Sequence, residues 1–148
     1  MTATTGYYRI RFAADPVQLI FFRAGLTAWL RSLQWPEPDR IDAVLAISEA
    51  CTNAVQHAYP AGEPGDVDVT GRLVVDENVR RIVVVVRDEG RWRDRAGGRG
   101  YGLTTVHECM AEVRIRQDGD GTVVTMISKP VPLLDLSDVG ESGSRAAD

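Results

Sequence analysis

Five consecutive β-branched residues, Ile82-Val83-Val84-Val85-Val86, constrain the fold of this chain more than any other stretch. Branching at Cβ suits a pleated strand better than a helix, and an unbroken apolar run reads as a central strand. The run ends at Arg87-Asp88-Glu89-Gly90, where the chain passes from apolar to charged within two residues. A central strand needs neighbours. Residues 7–13 alternate and supply one. Val67, Val69, Leu73 and Val75, interleaved with Asp68, Thr70, Arg72 and Val74, supply another, with the turn Asp76-Glu77-Asn78 after it. Val113–Gln117 and Thr122–Ser128 read as a closing hairpin about Asp118-Gly-Asp-Gly121.

Helices fill the gaps. Asp15 as N-cap, Pro16 at the first helical position and Gln18 three residues after the cap begin a helix expected to reach about Leu33. Its predicted buried stripe is Leu19, Leu26, Leu30 and Leu33, widened by Phe21, Phe22 and Trp29. After Trp35-Pro36-Glu37-Pro38, Asp39 is expected to cap a second helix that ends before Pro60. There Ile41, Val44, Leu45, Ser48, Cys51, Thr52 and Val55 recur at helical spacing as the predicted buried stripe. Glu49, Asn53 and His57, four residues apart, share another face with Ala46 and Ala50, a shelf that leaves room for something to lie against it. A third helix is expected from Gly100, with Leu103, Val106 and Met110 inward. The predicted fold class is α+β: a two-layer sandwich of a mixed, mainly antiparallel sheet with helices on one face. It occupies residues 1–130. The segment 134–148 carries four acids and one Arg with little apolar content, so 131–148 is expected to be a disordered tail.

At 148 residues, with 44% hydrophobic and 26% charged content, one soluble globular domain is the expectation. No apolar run approaches the roughly 20 residues of a membrane span, and the first residues lack a signal peptide's pattern, so the expected compartment is the cytoplasm. The net charge of −4 argues against nucleic acid as a partner. Cys51 and Cys109 fall in apolar helical contexts and read as packed thiols. No Cys/His metal cluster is present in the sequence.

Three segments carry possible chemistry. The Glu49/Asn53 helix face is the first; alone, it could be an ordinary polar surface. The second is Asp88-Glu89-Gly90, where an acid ends an apolar strand and a glycine permits close approach of a flat ligand. A simple strand-end turn explains that triplet equally well. The third is Gly97-Gly98-Arg99-Gly100-Tyr101-Gly102-Leu103, whose alternate glycines expose backbone N–H groups before a helix, as an anion cradle does. Arginines at 91, 93, 95 and 99 surround it, and residues 91–99 read as a mobile loop. The sequence has no G-x-x-x-x-G-K-[ST], and its one lysine, Lys129, lies near the end of the last strand, which excludes a P-loop. The glycines do not follow the first strand, which disfavours a dinucleotide fold.

In this order and spacing, Glu49-x-x-x-Asn53, Asp88-x-Gly90 and Gly98-x-Gly100-x-Gly102-Leu103 resemble the N, G1 and G2 boxes of the ATPase superfamily of gyrase, histidine kinases and mismatch-repair ATPases. The fuller phrase Ser48-Glu49-Ala50-x-Thr52-Asn53-Ala54-x-x-His57-Ala58-Tyr59 resembles the bacterial anti-sigma-factor serine kinases. The resemblance covers about residues 7–129. It implies ATP and Mg²⁺ as cofactors, a sigma factor as partner, an anti-anti-sigma factor as protein substrate, and a homodimer. It also implies roles: Asn53 as the Mg²⁺ ligand, Glu49 as the catalytic base, and Asp88 on the adenine amino group, with Gly90 giving the ring room and Thr122 assisting. Gly98, Gly100 and Gly102 would wrap the phosphates, with Arg99 as an added cation and Leu103 closing the motif. Trp92 stands where the first glycine box usually continues to a second Gly. The alternative is a nucleotide-binding regulator that sequesters its partner without phosphorylating anything; retention of both Glu49 and Asn53 favours the kinase.

Overall fold

The computed structural model describes residues 6–60, 62–90 and 103–134. In chain order the elements are β1 (Tyr7–Ala13), α1 (Pro16–Ser32), α2 (Glu37–His57), β2 (Asp66–Asp76), β3 (Val79–Asp88), α3 (Leu103–Cys109), β4 (Glu112–Asp118), β5 (Gly121–Ile127) and β6 (Val131–Pro132). The valine-rich β3 is central: the sheet order is β1-β2-β3-β5-β4, and β6 pairs with β3 beyond the end of β5. Every ladder is antiparallel. The expected mixed sheet is therefore corrected to a wholly antiparallel one, because the described strands that pair are joined by hairpins or by returns that reverse direction, none by a parallel crossover.

Strand parity divides β3 into two faces. Ile82, Val84 and Val86 are buried with Val67 and Val69 of β2 and Val124 and Met126 of β5. Helices α1 and α2 cover this side, and α3 packs on α2. In α1, Asp15 caps as expected, its carboxylate accepting from the Val17 N–H at 3.0 Å. Phe21, expected inward, is 66% exposed, whereas Phe22, Leu26 and Leu30 are fully buried. A helical stripe covers only part of the circumference, and Phe21 falls beside it.

Helix α2 departs from expectation in two ways. It begins at Glu37, earlier than a cap at Asp39 allows, and no side chain caps it. Proline is tolerated there because the first-turn N–H groups have no helical partner, and Glu37 and Asp39 sit in that first turn, where negative charge is favoured. The buried face is as expected at Ser48 and Cys51 but different elsewhere. Ile41 and Leu45 are 58% and 46% exposed, while Ala43, Ala46, Ile47, Ala50 and Ala54 are buried. The alanine shelf is thus the packed face. Small side chains let α2 lie close against the core, and the larger Ile41 and Leu45 instead line a surface groove against Arg23, Thr27 and Arg31 of α1.

The stretch read as tail begins with β6. Val131 is buried, and the Pro132 carbonyl accepts from Arg80 Nε at 3.1 Å.

Candidate functional site

Asp88 is the last residue of β3 and points to the helix-covered face, in phase with Ile82, Val84 and Val86. A carboxylate at 6% exposure in that position requires polar company. Thr122 of β5 lies directly across the ladder from it and is 1% exposed. Among the described residues, Thr122 Oγ1 has no hydrogen-bond partner. The Asp88 Oδ1 accepts from the Gly90 N–H at 3.1 Å, which turns the chain sharply after the strand.

Two glycines make that turn possible. A Cβ on Gly90 would lie 1.8 Å from the Ala58 carbonyl oxygen, so the turn rests directly on the end of α2. Gly121 has φ +138°, and a Cβ there would lie 1.9 Å from the Asp88 carbonyl oxygen. The sequence signalled the first through the Asp-x-Gly spacing. The second was read only as part of a hairpin loop, because its close neighbour lies 33 positions earlier in the chain.

On α2, Asn53 is 4% exposed, and its Nδ2 has no partner among the described residues. Ser48 Oγ is in the same condition, while Thr52 Oγ1 donates to the Ser48 carbonyl at 2.8 Å. Leaving a buried polar group unsatisfied costs about 1–3 kcal/mol, so such atoms suit a polar ligand that supplies the partners. Glu49 sits one helical turn before Asn53 but in a different setting. It is half-buried and lines the α1–α2 groove with Leu45, Val44 and Arg23. One residue therefore faces inward and the other faces a surface that a macromolecule can reach.

The end of α2, the Asp88–Gly90 turn and the start of β5 are thus joined by direct contacts. Leu103 opens α3 and is half-buried against the core. Gly98, Arg99, Gly100, Gly102 and Trp92 lie outside the described residues, as does the loop 91–99. Among the described residues no group of three or more His, Cys, Asp or Glu could hold a metal. Mg²⁺ does not need one, since it is held by one or two protein oxygens together with phosphates and water. The Asn53 side-chain amide offers an oxygen of that type. Nor is any described helix long and apolar enough to cross a membrane.

The histidine kinase-like ATPase domain model matches residues 12–128. This chain belongs to that family. Membership makes ATP the nucleotide of the domain. Among curated relatives, the serine-protein kinase RsbW of Bacillus licheniformis is 30% identical over 83% of this chain and 86% of its own length. RsbW of Bacillus subtilis is also 30% identical, over 85% and 87%. The anti-sigma F factor of Pasteuria penetrans is 30% identical over 74% and 81%. Among solved structures, the RsbU and RsbW domains of a Mycobacterium tuberculosis protein superpose with TM-score 0.70 at 28% identity, covering 86% of this chain. The chain spans 34% of that longer protein.

Proposed function

We propose that this protein is an ATP-dependent serine-protein kinase acting as an anti-sigma factor, which binds a sigma factor and phosphorylates a small anti-anti-sigma domain. One observation carries the reading: Thr122 Oγ1, across the ladder from Asp88, and Asn53 Nδ2, on the helix whose end bears on the Asp88–Gly90 turn, are buried without described partners, while Glu49 one turn before Asn53 faces an accessible groove. A pure binder needs the first part of that arrangement but not the second. The RsbW and anti-sigma F names of the relatives supply the partner classes.

In this reading Asp88 accepts a hydrogen bond from the adenine amino group, Gly90 admits the ring, and Thr122 adds a second polar contact. The Asn53 amide oxygen holds Mg²⁺, which neutralises phosphate charge when bound. Gly98, Gly100 and Gly102 donate backbone N–H groups to the phosphates, with Arg99 beside them. Glu49 accepts the proton of the substrate serine as its oxygen attacks the terminal phosphorus and the bond to the ADP leaving group breaks. Phosphoryl transfer needs positioning and charge neutralisation more than a covalent catalyst, so this small set of residues suffices. A partner in transcription argues for the cytoplasm as the proposed compartment, and the proposed working unit is a homodimer.

The test is transfer of labelled phosphate from ATP to candidate anti-anti-sigma domains. Wild type is expected to label one of them. Glu49→Gln is expected to bind ATP as wild type does while transfer falls by about 10²-fold or more. A wild-type protein that binds a sigma factor but labels no partner would replace the kinase with a sequestering regulator.

A further inference from the structure

Tyr59 follows α2 by two residues; its half-buried ring packs against the core while its hydroxyl is polar and tied elsewhere. Its hydroxyl donates to the Asp66 carbonyl, the first residue of β2, at 2.6 Å. The same oxygen accepts from the Glu89 N–H at 2.9 Å. Glu89 lies between Asp88 and Gly90, and the Gly90 N–H is already taken by Asp88 Oδ1. The two consecutive N–H groups of the turn are therefore both fixed, one by Asp88 itself and one by Tyr59. The ring is wedged as well, since a Cβ on Gly65 would lie 2.3 Å from its carbons. Next to it, the Ala58 carbonyl bears on Gly90. Burial is the largest of the influences on the Tyr59 hydroxyl and pushes its pKa above the ordinary value.

We infer that Tyr59 is a positioning residue for base recognition: its hydroxyl pins the Asp88–Gly90 turn to the end of α2. This inference rests on the reading of Asp88 as the adenine acceptor. The physical reason is that a carboxylate on a strand-end turn has its direction set by the two peptide planes that follow it, and Tyr59 holds the first of them. The same residue ties that turn to the helix carrying Asn53, six positions earlier. It thereby sets the spacing between the residue proposed for the phosphate end and the one proposed for the base. A tyrosine kept only for packing would need the ring and not the oxygen.

The test uses the full chain with Tyr59→Phe, which retains the ring. ATP affinity is compared with that of purine riboside triphosphate, which lacks the exocyclic amine. Losing one hydrogen bond to the turn should weaken ATP by roughly five- to tenfold and the analogue by less than about twofold, so discrimination between them shrinks. Equal weakening of both nucleotides, or no weakening, overturns the inference. Amide exchange in the unaltered protein gives a second reading that does not depend on the variant folding. The Glu89 N–H should be protected, and exchange at the rate of an exposed turn amide overturns the latch. Asp88→Ala separates the two levels. If it binds ATP normally, the reading of the pocket has failed. If it loses ATP while Tyr59→Phe discriminates as wild type does, only the latch has failed.

Discussion

Strand β3 carries a buried charged residue at each end of its helix-covered face, Arg80 and Asp88, at 4% and 6% exposure. Their surroundings differ. The Arg80 guanidinium donates to three carbonyls: Leu33 at 2.5 Å, Gln34 at 3.3 Å and Pro132 at 3.1 Å. It also stacks over the Trp35 ring at 5.0 Å from the centroid. One side chain thus ties the end of α1, the loop to α2 and β6 to the central strand. Beside Asp88, by contrast, Thr122 Oγ1 is buried without a described partner, as is Asn53 Nδ2 on the helix whose end touches the Asp88–Gly90 turn. The Arg80 end has one such atom, Trp35 Nε1, but its charge is satisfied by the chain's own carbonyls. A buried charge that the fold uses for itself is saturated by backbone. Asp88 accepts from the Gly90 N–H and lies beside Thr122, whose hydroxyl has no described partner.

Substitutions at the two ends should separate stability from binding. Arg80→Met should produce the largest change. It leaves three carbonyls without their donor, and a loss of about 3 kcal/mol is expected, a fall in Tm of roughly 10 °C, with ATP affinity of the folded protein unchanged. Thermal unfolding with and without ATP measures both; a loss of affinity as large as the loss of stability would erase the contrast. Asp88→Ala comes next, with the opposite pattern. ATP affinity should fall by roughly 10- to 100-fold, while stability drops by about 1–3 kcal/mol for the buried Gly90 N–H left behind. Titration with a fluorescent ATP analogue reads it, and unchanged affinity removes Asp88 from the site.

The smallest effect sharpens the comparison most. Thr122→Val removes a buried hydroxyl that has no described partner and keeps the side chain's shape. Stability should stay constant or rise by up to about 1 kcal/mol, while ATP binding weakens roughly fivefold. A residue whose removal helps folding and harms binding is held for the ligand. A stability loss with unchanged binding would assign Thr122 to the core instead.

Several of these residues were visible in the chain alone. Ile82–Val86 determined a central strand, because branched side chains leave few other choices, and the Asp15-Pro16 start determined α1, because capping is local. The spacing of Glu49 and Asn53 put them on one helix surface by geometry alone. Residues whose purpose depends on distant neighbours were not legible. Gly121 matters because its Cα approaches the Asp88 carbonyl, and no local pattern encodes that contact. Arg80 carried no signal in the sequence, and Tyr59 read only as the last residue of a motif, until the fold set their donors and acceptors.

The same boundary runs through α2. Its sequence determined that it is a helix and that Glu49 and Asn53 lie one turn apart. Which stripe would be buried was decided by the sheet and by α1 and α3, since periodicity cannot say whether large or small residues face a neighbour. The packed face takes the alanines, Ile47 and Cys51, while Ile41 and Leu45 fall on the groove side and Asn53 went inward. The sequence determined local geometry, whose forces act between residues a few positions apart. Only the tertiary structure decided burial and hydrogen-bond partners, because both depend on what the rest of the chain brings to that face.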